Sequence, residues 1–194
     1  MKTFDAKTSI KYAVMITLLL STLLSFRWLW SEVFSTPAHP QPVQGVLDLR
    51  GWDFANNHAV SLNGEWEFYP SAFVSHEDTE KHSAGPPRHV QVPGDWRSAF
   101  PEGTNSYGYG TYRLRILIDR PLDQPYTFWF RSIEASSSVE INGQRQKGLS
   151  QPAEHPEDYT PLNVSYTVSY IAKDAKEIEL LVHVANYENP FQGE

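Results

Sequence analysis

Between residues 96 and 113 the sequence sets Trp96, Arg97, Tyr107, Tyr109 and Arg113 close together along the chain. An aromatic ring offers a flat apolar face to the C–H side of a sugar, and a guanidinium donates forked hydrogen bonds to hydroxyls or a carboxylate. Asn186 and Tyr187, with Asn189 just beyond, follow the last apolar run and are placed to reach the same rim. The set reads as a binding cluster for a carbohydrate or a small carboxylate. The structural alternative is that Trp96 plugs one end of a core and Arg113 pairs with an acidic neighbour.

Other chemistries lack their residues. The chain contains no cysteine, which removes disulfides, thiolate catalysis and cysteine-ligated zinc. Glu65 and Glu67 stand two apart on one strand face, and a glycosidase pair needs a separation of about 5–10 Å; they read better as solvated edge charges. His76 and His82 lie in a polar stretch with Glu77, Asp78 and Glu80, but their spacing matches no metal site and reads as a charged loop. Asp48 and Asp53, with backbone carbonyls, make a thin case for a structural calcium, and no other cofactor is expected. Gly108 and Gly110 do not complete a dinucleotide fingerprint, because position 113 is Arg. Ser136, Ser137 and Ser138 have no nucleophile elbow around them. No catalytic residue is assigned, and no enzyme is expected in these residues. The formal charge of −7, with no basic run beyond the N-terminus, argues against nucleic acid as a partner.

The elements that must hold the cluster are strands. Tyr112, Leu114, Ile116 and Ile118 alternate with Thr111, Arg113 and Arg115, and Ile178, Leu180, Val182 and Val184 alternate with Glu177, Glu179 and His183. Tyr126, Phe128 and Phe130 alternate with Thr127, Trp129 and Arg131; Val164, Tyr166, Val168 and Tyr170 alternate with Ser165, Thr167 and Ser169. Shorter runs occur at 64–69, 89–92 and 137–142, with Trp66 and Phe68 as core residues. Asn142-Gly143 reads as a hairpin turn that needs positive φ. The expected fold is all-β, a jelly-roll β-sandwich of seven to nine short antiparallel strands, preceded by one N-terminal apolar helix. Two long polar segments, 70–88 and 93–109, interrupt the strands, and the aromatics of the second mark it as functional.

Lys2, Lys7 and Lys11 precede an apolar run from Tyr12 to Phe26, followed by Arg27 and Trp28-Leu29-Trp30. Positive charge before the run is the inside-positive arrangement, so the residues downstream of it are expected on the extracytoplasmic side of the cell membrane. Residues 1–34 read as a signal peptide or membrane anchor, the Pro-rich 35–45 as a linker, and 46–194 as the sandwich.

The strings LNGEWEFYP, VQVPGDWRS, GYGTYRLRI, VEINGQ and HVANYENP succeed one another across residues 62–190. In that order they resemble the galactose-binding-like jelly roll at the N-terminus of seven-transmembrane receptors with diverse intracellular signalling modules. They are similar also to the non-catalytic sugar-binding domain of glycoside hydrolase family 2. The first resemblance implies an extracytoplasmic sensor domain in a bacterial signal-transduction protein, with downstream transmembrane and cytoplasmic signalling domains, a kinase or a cyclase, as partners. It implies also a glycine-rich final strand, which these residues do not reach, so truncation before the last strand is expected. The alternatives are a structural dimerisation or interaction module, and an accessory sugar-binding domain of an exported glycosidase.

Overall fold

The computed structural model describes residues 6–33, 39–54, 56, 59–100, 107–119, 124–131, 133, 136–146, 150–162, 164–173 and 175–188. The chain forms two compact units, Met1–Ala38 and His39–Glu194. The first is one helix, α1 (Ala6–Val33), in which Lys7–Glu32 is long and apolar enough to cross a membrane. Its hydroxyls turn inward on its own backbone. Thr17 donates to the Ala13 carbonyl, Thr22 to that of Leu18 and Ser25 to that of Ser21, each at 2.8–2.9 Å. Such i−4 bonding satisfies these three hydroxyls within the helix itself.

The second unit is a jelly-roll β-sandwich. Its strands are β1 (Val46–Asp48), β2 (Gly64–Pro70), β3 (Arg88–Val92), β4 (Gly108–Leu117), β5 (Tyr126–Phe130), β6 (Ser136–Ile141), β7 (Gln144–Arg145), β8 (Tyr166–Tyr170) and β9 (Glu177–Asn186). Seven form one sheet in the order β3-β2-β4-β9-β6-β7, with β1 beside β4, and β5 pairs with β8 in a second. β4 and β9 pair antiparallel over their whole lengths, from Gly108↔Asn186 to Leu117↔Glu177. One pairing departs from the expected antiparallel set: β1 runs parallel to β4, with Val46 opposite Arg115. β2 covers β4 only from Gly110 to Arg113, and β1 occupies the remaining edge after a turn at Gln44-Gly45, both with positive φ.

The two-residue period fills the interior. Phe68, Leu114, Ile141, Ile178 and Leu180 are completely buried and join Phe128, Val168 and Tyr170 of the second sheet in one core. The Ser137 hydroxyl meets the Tyr166 hydroxyl at 2.9 Å, which ties the two sheets by a polar contact as well. Gly110 has no room for a Cβ, which would lie 2.6 Å from the Phe68 ring and 2.7 Å from the Tyr69 carbonyl oxygen. Asn142 and Gly143 both take positive φ and close the β6–β7 hairpin in two residues.

The opposite face of the large sheet is not left to water. The polar segment that reads as a charged loop folds across it and contains a short helix, α2 (His76–Glu80), started by a capping box between Ser75 and Asp78. The Ala72 carbonyl accepts from the Thr111 hydroxyl at 2.8 Å, and the Val74 amide donates back to it at 2.9 Å. Under this strap Glu179 and His183, the polar phase of β9, are each 4% exposed.

Candidate functional site

The strand register puts a charged ladder on the strapped face. Glu67 of β2 stands opposite Arg113 of β4, which stands beside Glu179 of β9. Arg113 donates from Nε to Glu179 at 2.6 Å and from Nη1 to Glu67 at 2.9 Å. Glu179 also accepts from the Thr79 hydroxyl at 2.9 Å and from His76 Nδ1, while the Tyr69 hydroxyl donates to Glu67 at 3.2 Å. The His76 amide donates to Glu140 at 2.9 Å. Glu67 is therefore an internal ion-pair partner rather than a solvated edge charge, and Arg113 has both ends of its fork occupied. Its chemistry is structural. Farther along the face His183 donates from Nε2 to the Val74 carbonyl at 2.8 Å, and burial holds its pKa below the usual imidazole range.

Trp96 is also structural. It is 2% exposed, with ring centroids of Phe68, Phe100 and Tyr112 at 5.6, 5.4 and 6.5 Å. A ring enclosed by three others offers no face to a ligand, so the expectation of Trp96 as a binding aromatic is corrected: it plugs the sandwich end. Arg97 begins a 3-10 turn and points to solvent, with Nε 2.5 Å from the Asp95 carboxylate. That hydrogen bond draws the Asp95 pKa down.

The remaining expected residues do meet. Gly108 pairs with Asn186, so Tyr107 and Tyr109 at the start of β4 and Tyr187 after β9 share one end of the sheet. Tyr107 is 40% exposed; Asn186 is 1% exposed and accepts from the Glu188 amide, so it supports the end rather than lining it. Tyr109 packs on Phe73 at 4.9 Å, and Tyr187 meets Tyr159 edge-on at 5.3 Å. The Tyr187 hydroxyl donates to the carbonyls of Glu154 and Ala153, at 2.5 and 3.1 Å. Burial, then the Tyr109 phenol and the charges of Glu154 and Glu157, push the Tyr187 pKa up to about 12. Burial and Glu154 raise Tyr109, and burial and Glu188 raise Tyr159. The phenols thus remain protonated donors in a negative field. Asn189 lies outside the described residues.

Tyr159 and Glu154 are invisible to sequence periodicity because the segment that carries them, 150–160, shows no period; its one local signal is Pro156 at the start of a 3-10 turn. The same segment supplies Ser150, Gln151 and Pro152 to a shallow groove of about 350 Å³, lined also by Ser138, Arg145 and Gln146. Among the described residues no three His, Asp or Glu side chains converge as a metal site. Asp48 is held by the Arg50 guanidinium at 2.6–2.9 Å, which lowers its pKa to about 2, and Asp53 binds the Asn56 amide at 2.5 Å.

No protein-family model matches the sequence, and no curated protein matches it. Among solved structures it is similar to a glycosyl hydrolase family 2 member from Bacteroides cellulosilyticus, with 15% identity and a TM-score of 0.46 over 67% of this chain and 18% of that one. It is similar to the β-glucuronidase of Faecalibacterium prausnitzii, with 21% identity and a TM-score of 0.44 over 67% and 21%, respectively. A third likeness is to the family 2 β-galacturonidase of Eisenbergiella tayi, with 15% identity and a TM-score of 0.41 over 66% and 19%. The chain spans about a fifth of the length of each of these proteins.

Proposed function

We propose that the sandwich is a non-catalytic module that binds a neutral carbohydrate at the tyrosine rim, on the extracytoplasmic side of a membrane, as the sensing part of a signal-transduction protein. The observation that carries this reading is the rim itself: Tyr109, Tyr159 and Tyr187 gathered with Glu154, Glu157 and Glu188 around them. Phenol rings stack on C–H faces, the Tyr109 and Tyr159 hydroxyls donate while that of Tyr187, held by two backbone carbonyls, can accept, and carboxylates accept from sugar hydroxyls. A small carboxylate, the other ligand class the sequence leaves open, would meet like charge here. The arginines that would receive it are spent on Asp95, Glu67 and Glu179. In this reading residues 1–34 hold or direct the module to the membrane, 35–45 link it, and further membrane and cytoplasmic domains carry the output.

Calorimetry of the full chain in neutral detergent, against neutral sugars and organic acids, tests the site. The expected result is sugar binding weakened about tenfold or more by Tyr187→Ala or Tyr109→Ala, about 1.4 kcal/mol. A folded protein that binds organic acids and no neutral sugar, or whose sugar affinity ignores both substitutions, refutes it. A periplasm-active phosphatase fused after Glu194 tests the sidedness, and an inactive fusion counts against the sensor placement.

A further inference from the structure

The outer face of the β5–β8 sheet is a different kind of surface. Trp129, in the middle strand positions of β5, is 64% exposed, the most exposed large apolar side chain among the described residues of the second unit. Thr167 stands opposite it on β8, and Thr127 stands opposite Ser169, with their hydroxyls 3.2 Å apart. Arg131 lies two residues along the same face, its guanidinium 4.9 Å from the Trp129 ring centroid. Ile171, 57% exposed, follows the other end of β8. The alternation that buries Phe128, Val168 and Tyr170 turns all of these outward.

The chemistry of this face is specific. Protein–protein interfaces of ordinary strength need roughly 800 Å² per partner around an apolar core; here the apolar groups are separated by a row of hydroxyls. Arg131 puts a cation on this face, in a chain of net charge −7, and among the described residues it makes no ion pair. Cation–π contact holds the guanidinium against one side of the indole and leaves its forked donors unspent. From the level of Arg131 to that of Ile171 the strands run about 20 Å, at about 3.3 Å per residue. A flat strip with a stacking ring, a fork for a carboxylate beside it and hydroxyls along it is complementary to an extended sugar chain bearing carboxylates.

We propose that the outer face of β5–β8 is a second binding surface, for an acidic oligosaccharide, with Trp129 stacking on a pyranose ring and Arg131 receiving a sugar carboxylate. It is separate from the tyrosine rim in residues and in charge, and does not depend on that assignment.

The test uses the full chain in neutral detergent micelles, titrated by calorimetry with tetragalacturonate and with maltotetraose as its uncharged counterpart. The expected result is binding of tetragalacturonate that Trp129→Ala weakens at least tenfold. Arg131→Gln should abolish the preference over maltotetraose, and Tyr187→Ala should leave tetragalacturonate binding unchanged. Both substitutions are at exposed positions, so circular dichroism should show the parent fold. No binding of tetragalacturonate, or binding indifferent to both substitutions, overturns the proposal. Loss of binding with Tyr187→Ala but not Trp129→Ala also overturns it while leaving the rim reading intact. Trp129-dependent dimers in light scattering, or Trp129-dependent capture on phosphatidylglycerol vesicles without saccharide binding, would assign the face to a second copy or to lipid instead.

Discussion

Replacing Arg113 by methionine keeps most of the side chain's volume and removes the charge between Glu67 and Glu179. The side chains of Arg113, Glu67 and Glu179 are 18, 15 and 5% exposed, and the two hydrogen bonds are 2.9 and 2.6 Å long. Removing one partner of a buried ion pair costs about 3–5 kcal/mol, because a desolvated charge is left behind. Glu179 keeps Thr79 and His76, and Glu67 keeps the Tyr69 hydroxyl. These residual donors, and the water reaching Glu67, place the expected loss at about 3 kcal/mol, the lower end of that range. With a urea slope of about 2 kcal/mol/M, the midpoint should fall by about 1.5 M. Urea titration followed by tryptophan fluorescence measures it, since Trp66 and Trp96 are buried reporters. Pairing Arg113→Met with Glu67→Gln should cost less than the sum of the two, because the second change removes one stranded charge. Arg113→Lys keeps the charge but cannot fork to both carboxylates, and belongs between parent and methionine. A loss below about 0.5 kcal/mol for Arg113→Met would refute the reasoning and make the ladder a screened surface feature. Under folding conditions the methionine variant should retain its sugar affinity.

Trp96→Ala should cost about 3–5 kcal/mol of unfolding free energy in the same assay, by opening a cavity against Phe68, Phe100 and Tyr112; a loss under about 1 kcal/mol would return Trp96 to the surface. Burial lowers the folded pKa of His183, so on acidification the unfolded chain takes up its proton first. Stability should therefore fall as pH drops through about 6.5 and towards the folded value, and His183→Gln should flatten that part of the profile; an unchanged slope would exclude His183 as the cause. Asn142 donates to the Tyr170 hydroxyl and the Glu177 carbonyl and accepts from the Glu179 amide, in addition to its positive φ. Asn142→Gly should lose the bonds but keep the turn, at about 1–3 kcal/mol, and Asn142→Ala should lose both; equal melting temperatures for the two would show that backbone strain contributes nothing.

The alternation of apolar residues was enough to place β2, β4, β5, β6, β8 and β9 and to divide inside from outside on each. It could not show that the outside of β9 is also an inside. That depends on residues 71–83, whose apolar anchors are only Phe73 and Val74 and whose helix is five residues long. The segment reads as a charged loop because a five-residue helix is too short to show a period, and its Ser75–Asp78 capping box says nothing of which face it covers. Trp96 posed the opposite difficulty. An aromatic in a Gly- and Pro-rich loop looks like a ligand face until Phe68 and Tyr112, far away in sequence, are brought beside it. β1 and β7, of three and two residues, carry no period at all and owe their pairing to the strands next to them. Trp129 lay in plain sight as the odd member of a polar phase, and period alone gives no reason why a large indole should stand among hydroxyls.

Where binding can occur depends on how the two sheets are covered. The large sheet has its inner face filled by the core and its outer face strapped by 71–83, with Arg113 and His183 committed beneath the strap. The ends of the strands and the free side of β5–β8 then remain open to a ligand, beside the shallow groove along Ser138 and Arg145. The charges divide the same way: Glu154, Glu157 and Glu188 make the rim negative, whereas Arg131 makes the opposite sheet's face locally positive. Two surfaces of opposite sign cannot share one ligand with equal strength, because each charge that attracts at one repels at the other. A neutral sugar at the rim and an acidic chain on the β5–β8 face should consequently differ in their response to salt. Added salt screens Arg131 and weakens the second, while leaving the uncharged ligand of the first nearly untouched.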